Sequence, residues 1–236
     1  MTRLPDHGPA APPPPAGVPR REVTIPGDVS LEGLLEFPEG GAPVGGVVVA
    51  HPHPLHGSTL HQPVVHHVAK ACRAHGLATL RFNFRGVGAS GGVYSGLEEF
   101  RDVRAATAFL RAELPADAPV SLAGYSFGAV MASLAVLDGE PAAALALVAF
   151  PLRWDEFVPG WFDRFGEYGG PVIAVCGERD IVAPPAEVEA FLRGVGLDPT
   201  MVVVPGADHF FAGASAGQRD RFSEPTAEFL ANASRA

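Results

Sequence analysis

Apolar residues gather in short unbroken runs, and between the runs lie longer segments of helical spacing. Residues 44–50, 77–82, 120–123, 145–150, 172–176 and 201–204 are such runs, flanked by glycine, proline or polar turn residues. That is the pattern of strands covered on both faces. Two further strands, 22–25 and 31–37, are joined by a turn at Pro26-Gly27-Asp28. Helical spacing runs through Val64, Val68, Ala71 and Cys72 in 63–75, and through Val103, Ala106, Phe109 and Leu110 in 98–113, which opens on acidic residues. Helices are also expected over 129–137, near 187–193 and at the C-terminus. Strands that alternate with helices predict an α/β fold, a mostly parallel sheet with helices on both faces. The chain of 236 residues shows no internal repeat, and residues 21–236 read as a single domain.

Residues 1–20 break this pattern. Pro5, Pro9, Pro12 to Pro15 and Pro19 stand among alanines and glycines, a composition expected to give a disordered or polyproline-like tail. The tail lacks an apolar signal core, and no run is long enough for a spanning helix. The formal net charge of −9 argues against a nucleic-acid or anionic-membrane partner. Cys72 and Cys176 lie far apart in apolar segments, so they read as small core residues in a reducing compartment. A cytoplasmic protein is the expectation.

The candidate chemistry centres on Gly124-Tyr125-Ser126-Phe127-Gly128, between the run at 120–123 and the helix-forming 129–137. Strand, turn and helix in this order are the context of a nucleophile elbow. A sharp turn strains the serine backbone, and glycines on either side remove side chains that would collide. The turn also puts Ser126 at a helix N-terminus, which favours developing negative charge. A serine hydroxyl needs a base, and the base needs a carboxylate to hold its tautomer. Loops after the later strands supply both: Gly177-Glu178-Arg179-Asp180, and Gly206-Ala207-Asp208-His209. His209 is the only histidine after position 75. Among the carboxylates, Asp180 sits further into its loop than Glu178, and Asp208 is too near His209 in sequence to face its ring comfortably.

These motifs, with His51-Pro52-His53-Pro54-Leu55-His56-Gly57 and the stretch from Arg81 to Ser90, carry a resemblance. From about residue 22 onwards the chain resembles the α/β-hydrolase superfamily, and specifically its small dienelactone-hydrolase-like serine esterases. The resemblance implies an eight-stranded sheet and Asp180 as the triad acid, and the short stretch between Phe150 and Pro171 leaves room for a minimal lid or none. It implies an oxyanion hole made by the backbone N–H of Phe127 and by a donor from the loop after the third strand. Pro52 and Pro54 lack an N–H, which leaves His51, His53 and Leu55, with His53 the best placed. In similar hydrolases the stretch from Arg81 to Ser90 braces that loop, and Arg85 is expected to be a structural support. Better-known dienelactone hydrolases carry a cysteine nucleophile where this chain has Ser126.

Six of the nine histidines lie between His51 and His67. His66 and His67 are adjacent and no carboxylate occurs between Glu39 and Glu98, so a metal site is not expected and His56, His66 and His67 read as packing the crevice floor. Between Phe150 and Pro171, the aromatics Trp154, Phe157, Trp161, Phe162 and Phe165 form either one wall of an acyl pocket or a short element packed on the sheet. Leu55, Tyr125, Trp154 and Trp161 are the candidate pocket residues. The reading is a serine hydrolase of small acyl esters, acting through Ser126, His209 and Asp180 without a cofactor. A thioesterase or a peptidase/amidase would use the same triad. A metal-dependent hydrolase built on the histidine loop, or a non-catalytic binding protein, would not.

Overall fold

In the computed structural model, which describes residues 20–154, 158–211 and 216–236, eight strands form one sheet. They are β1 (Arg20–Ile25), β2 (Leu31–Glu36), β3 (Gly45–Ala50), β4 (Leu77–Phe82), β5 (Val120–Tyr125), β6 (Leu145–Val148), β7 (Val172–Gly177) and β8 (Thr200–Val204). Their order across the sheet is β1-β2-β4-β3-β5-β6-β7-β8. The first two strands are an antiparallel hairpin, in register from Arg20 opposite Glu36 to Ile25 opposite Leu31, and β2 meets β4 antiparallel. The remaining neighbours are parallel. Strands β3 to β7 are buried along their whole length, as unbroken apolar runs require. Arg20, placed in the expected tail, opens β1; residues 1–19 lie outside the described residues.

Five helices connect or follow these strands: α1 (Pro63–Ala74), α2 (Glu99–Ala112), α3 (Phe127–Leu137), α4 (Pro185–Gly194) and α5 (Ala216–Ala233). The step from β3 to β4 runs opposite to the step from β4 to β5, and right-handed crossovers therefore put α1 and α2 on opposite faces. Helix α1 packs on α5, and α2 packs on α3. Helix α3 is apolar all round, buried from Phe127 to Val136, whereas α1 and α2 bury one stripe each. Cys72 and Cys176 are buried free thiols, and burial pushes each up to about 12.

The reversal of direction beside β3 opens a crevice at the carboxyl ends of β3 and β5, the place where open α/β sheets bind ligands. Buried polar contacts fix the loops around it. Arg81 donates to Glu36 and to the Leu60 carbonyl, and Asn83 Oδ1 accepts from the Leu60 N–H. Arg85 grips Asp102 of α2 through Nε and Nη2 and also reaches Glu98. The stretch from Arg81 to Ser90 thus braces the loop after β3, as expected.

Candidate active site

Ser126 sits between β5 and α3 at φ 53°, ψ −119°, a strained conformation for a non-glycine residue. Its N–H donates to the Val148 carbonyl at 2.8 Å, and its carbonyl accepts from Ala129 at 2.8 Å. The turn is closed too tightly for side chains at either glycine. A Cβ on Gly124 would stand 2.2 Å from the Gly128 backbone, and one on Gly128 would stand 2.4 Å from the Ala50 carbonyl oxygen. As the first residue of α3, Phe127 has an N–H with no intrahelical acceptor.

The two later loops converge on this serine. Gly177 lies against the 207–208 backbone, where a Cβ would meet the Ala207 oxygen at 2.5 Å. Arg179 N–H donates to Ala207 O and Glu178 N–H to Val204 O, which ties the loop after β7 to the loop after β8. His209 Nε2 then lies 3.0 Å from Ser126 Oγ, and His209 Nδ1 lies 2.8 Å from Asp180 Oδ2. Asp180 is 3% exposed, and its Oδ1 accepts from the N–H groups of Val182 and Ala183, both at 2.8 Å. Tyr125 donates its hydroxyl to the His209 carbonyl, and burial pushes that phenol's pKa up. A hydroxyl, an imidazole and a carboxylate in this chain of hydrogen bonds can pass a proton from serine to histidine while the carboxylate steadies the cation.

The two carboxylates near Asp180 are used elsewhere. Glu178 is exposed and accepts from Gly206 N–H, bracing the β8 loop, while Asp208 accepts from Phe210 N–H inside its own turn.

A family model described as serine aminopeptidase, S33, matches residues 46–167, just over half of the chain. The chain belongs to this family of α/β serine hydrolases. The hydrolase is similar to a solved α/β serine hydrolase homologue from Coxiella burnetii, at 33% identity and TM-score 0.77 over 89% of this chain and 97% of that one. It is also similar to an α/β serine hydrolase without a lid from Xanthomonas campestris, at 28% identity and TM-score 0.73 over 95% and 96% of the two chains. An uncharacterized protein of Rickettsia prowazekii (strain Madrid E) matches at 27% identity, over 70% of this chain and 71% of that one. The α/β-hydrolase fold and the serine-hydrolase family are those that the resemblance implied.

Ser126 of the hydrolase faces an open cavity of about 410 Å³. Tyr125, Phe127, His53 and Trp154 line it together with Ser126 and His209. Leu55 and Trp161, expected in the pocket, do not. Leu55 turns outwards, 67% exposed, because its N–H is held back by His53 Nδ1 and it sits in the middle of a 3₁₀ turn, Pro54–His56. Trp161 packs half-buried against the core. The neighbouring Phe162 and Phe165 are fully buried, with Phe162 against Phe150 and Phe191, so this aromatic stretch mainly seals the sheet. Phe157 lies outside the described residues. His66 and His67 are not on the crevice floor either. Both ride on α1, with His66 exposed and His67 beside Phe222 of α5. His56 does line the cavity, exposed and stacked on His53.

Ser58, Gln62, Arg153, Val182 and Phe210 also line the cavity and were not singled out from the sequence. Val182 and Phe210 could have been found from their closeness to Asp180 and His209. No sequence signal marks Ser58, whose Oγ is buried without a partner among the described residues. Among those residues no group of three or more His, Cys, Asp or Glu side chains could hold a metal ion, and no helix is long and apolar enough to cross a membrane.

Proposed function

We propose that this hydrolase cleaves small acyl esters by acyl transfer to Ser126 and then to water. Ser126 Oγ attacks the ester carbonyl carbon while His209 Nε2 takes its proton. The N–H groups of Phe127 and His53 hold the resulting oxyanion. The tetrahedral intermediate collapses, the alcohol leaves with the proton from His209, and an acyl-Ser126 ester remains. Water, deprotonated by His209, repeats the sequence and releases the acid. Asp180 orients His209 and stabilises its cation throughout. The cycle balances with water alone.

The observation that carries this reading is the 3.0 Å approach of Ser126 Oγ to His209 Nε2 at the open cavity. The family's description names a second bond type, the amide of a peptide N-terminus. An aminopeptidase must hold a free ammonium, which calls for a carboxylate in the pocket. Among the described lining residues there is none, and the one permanent cation among them, Arg153, is ion-paired with Glu187. That balance favours a neutral acyl group.

A fluorophosphonate probe should label the wild-type protein and leave Ser126→Ala unlabelled. p-Nitrophenyl acetate should be turned over by the first and not by the second. Undiminished turnover by Ser126→Ala would remove the nucleophile assignment. Faster hydrolysis of amino-acid p-nitroanilides than of short esters would replace the esterase reading with the peptidase one.

A further inference from the structure

The His53 ring is enclosed on several sides. Centroids of the His56, Tyr94, Phe127 and Trp154 rings lie 4.6, 5.1, 5.1 and 5.7 Å from its own. Two hydrogen bonds fix its rotation and its tautomer. The backbone N–H of Leu55 can only donate, and it stands 3.2 Å from His53 Nδ1, so Nδ1 is the unprotonated nitrogen. The ring proton is then on Nε2, which donates to the Tyr94 hydroxyl oxygen at 3.0 Å.

This arrangement has a mechanical consequence. The bond from Leu55 N–H back to the His53 side chain spans Pro54, whose φ is fixed by its ring, and so clasps the backbone just where the second oxyanion donor is needed. The opposite tautomer would set Nδ1–H against the Leu55 N–H and open the clasp. Tyr94 itself is held by its own loop. Its backbone passes over Gly86, where a Cβ would meet Tyr94 N at 3.0 Å, and the following Ser95 is tied to Glu99 at the start of α2. Tyr94 is not among the residues that line the cavity.

We propose that Tyr94 is a positioning residue. By accepting from His53 Nε2–H it holds the ring in the rotation that keeps the His53–Leu55 clasp closed, and it thereby aims the His53 N–H at the oxyanion. The inference rests on the esterase reading above.

Tyr94→Phe removes the hydroxyl and keeps the ring contacts. With p-nitrophenyl acetate, kcat should fall about tenfold, short of the roughly 10²–10³-fold that follows outright removal of an oxyanion donor. KM and the thermal midpoint should hold, and affinity for a trifluoromethyl ketone should fall in step with kcat/KM. His53→Asn places an amide oxygen where Nδ1 stands, able to accept from Leu55 with no ring for Tyr94 to hold. In that background Tyr94→Phe should have no further effect. A raised KM with unchanged kcat, a wild-type kcat, or an equal loss in the His53→Asn background would each overturn the proposal. If Ser126→Ala keeps its activity, the esterase reading itself has failed; if Ser126→Ala is inactive and Tyr94→Phe is normal, only the role of Tyr94 has.

Discussion

Asp180 spends its two oxygens on different partners: Oδ2 meets His209 Nδ1 at 2.8 Å, while Oδ1 accepts from the backbone of Val182 and Ala183. The backbone bonds fix the carboxylate before His209 has to use it. A carboxylate so held keeps the imidazole in one tautomer, with Nε2 left to face Ser126.

This division of labour predicts different outcomes at two neighbouring carboxylates. Asp180→Asn should lower kcat by orders of magnitude, as the roughly 10⁴-fold loss for the equivalent change in the serine-protease triad suggests, and leave KM near its original value. Glu178→Gln should change kcat little, because Glu178 braces Gly206 and does not reach His209. Steady-state kinetics on short p-nitrophenyl esters separate the two. A severe Glu178→Gln defect beside a mild Asp180→Asn one would reverse the assignment.

Gly128 should be intolerant of a single added methyl group. A Cβ there meets the Ala50 carbonyl oxygen at 2.4 Å and the His51 carbonyl oxygen at 2.7 Å, backbone atoms that cannot rotate away. Gly128→Ala must push the end of β3 away from the elbow, at about 1–3 kcal/mol of overpacking strain. The same displacement separates His53 from Phe127, so kcat should drop by about 10²-fold, the scale of a 1 Å misplacement. Chemical denaturation and kinetics on one sample test both halves, and a stable, fully active variant would contradict the packing argument.

His51 makes stability depend on pH. Burial holds its pKa down at about 4, from an ordinary 6.5, although the Pro52 carbonyl pulls the other way. Its Nε2 accepts from Phe84 N–H and its Nδ1–H donates to Pro52 O, so the folded protein needs the neutral ring. Between pH 6.5 and about 4 the unfolded chain binds this proton and the folded protein does not. The contribution is therefore complete above pH 6.5 and is lost as pH falls towards 4, amounting to about 3 kcal/mol. His51→Gln, which can still accept from Phe84, should show a shallower decline across this window in urea unfolding. Parallel curves for the two proteins would mean that His51 titrates normally.

Much of this molecule was legible along the chain because the relevant signals are local. Unbroken apolar runs such as 172–176 became strands buried on both faces, and Gly124 and Gly128 marked the elbow because a tight turn excludes side chains within a few residues of itself. The order of Ser126, Asp180 and His209 pointed to one site for the same reason: in a parallel sheet every strand delivers its following loop to the same edge. What the tertiary structure alone decided were distances between loops and the direction of side chains at their tips. That Glu178 turns to Gly206 while Asp180 turns to His209 depends on how the β7 and β8 loops are bonded to each other. That Leu55 leaves the pocket depends on a His53 ring held by Tyr94, 41 residues further along the chain. Local propensity specifies which residues start a strand or close a turn; contacts across such separations exist only once the sheet has brought its loops together.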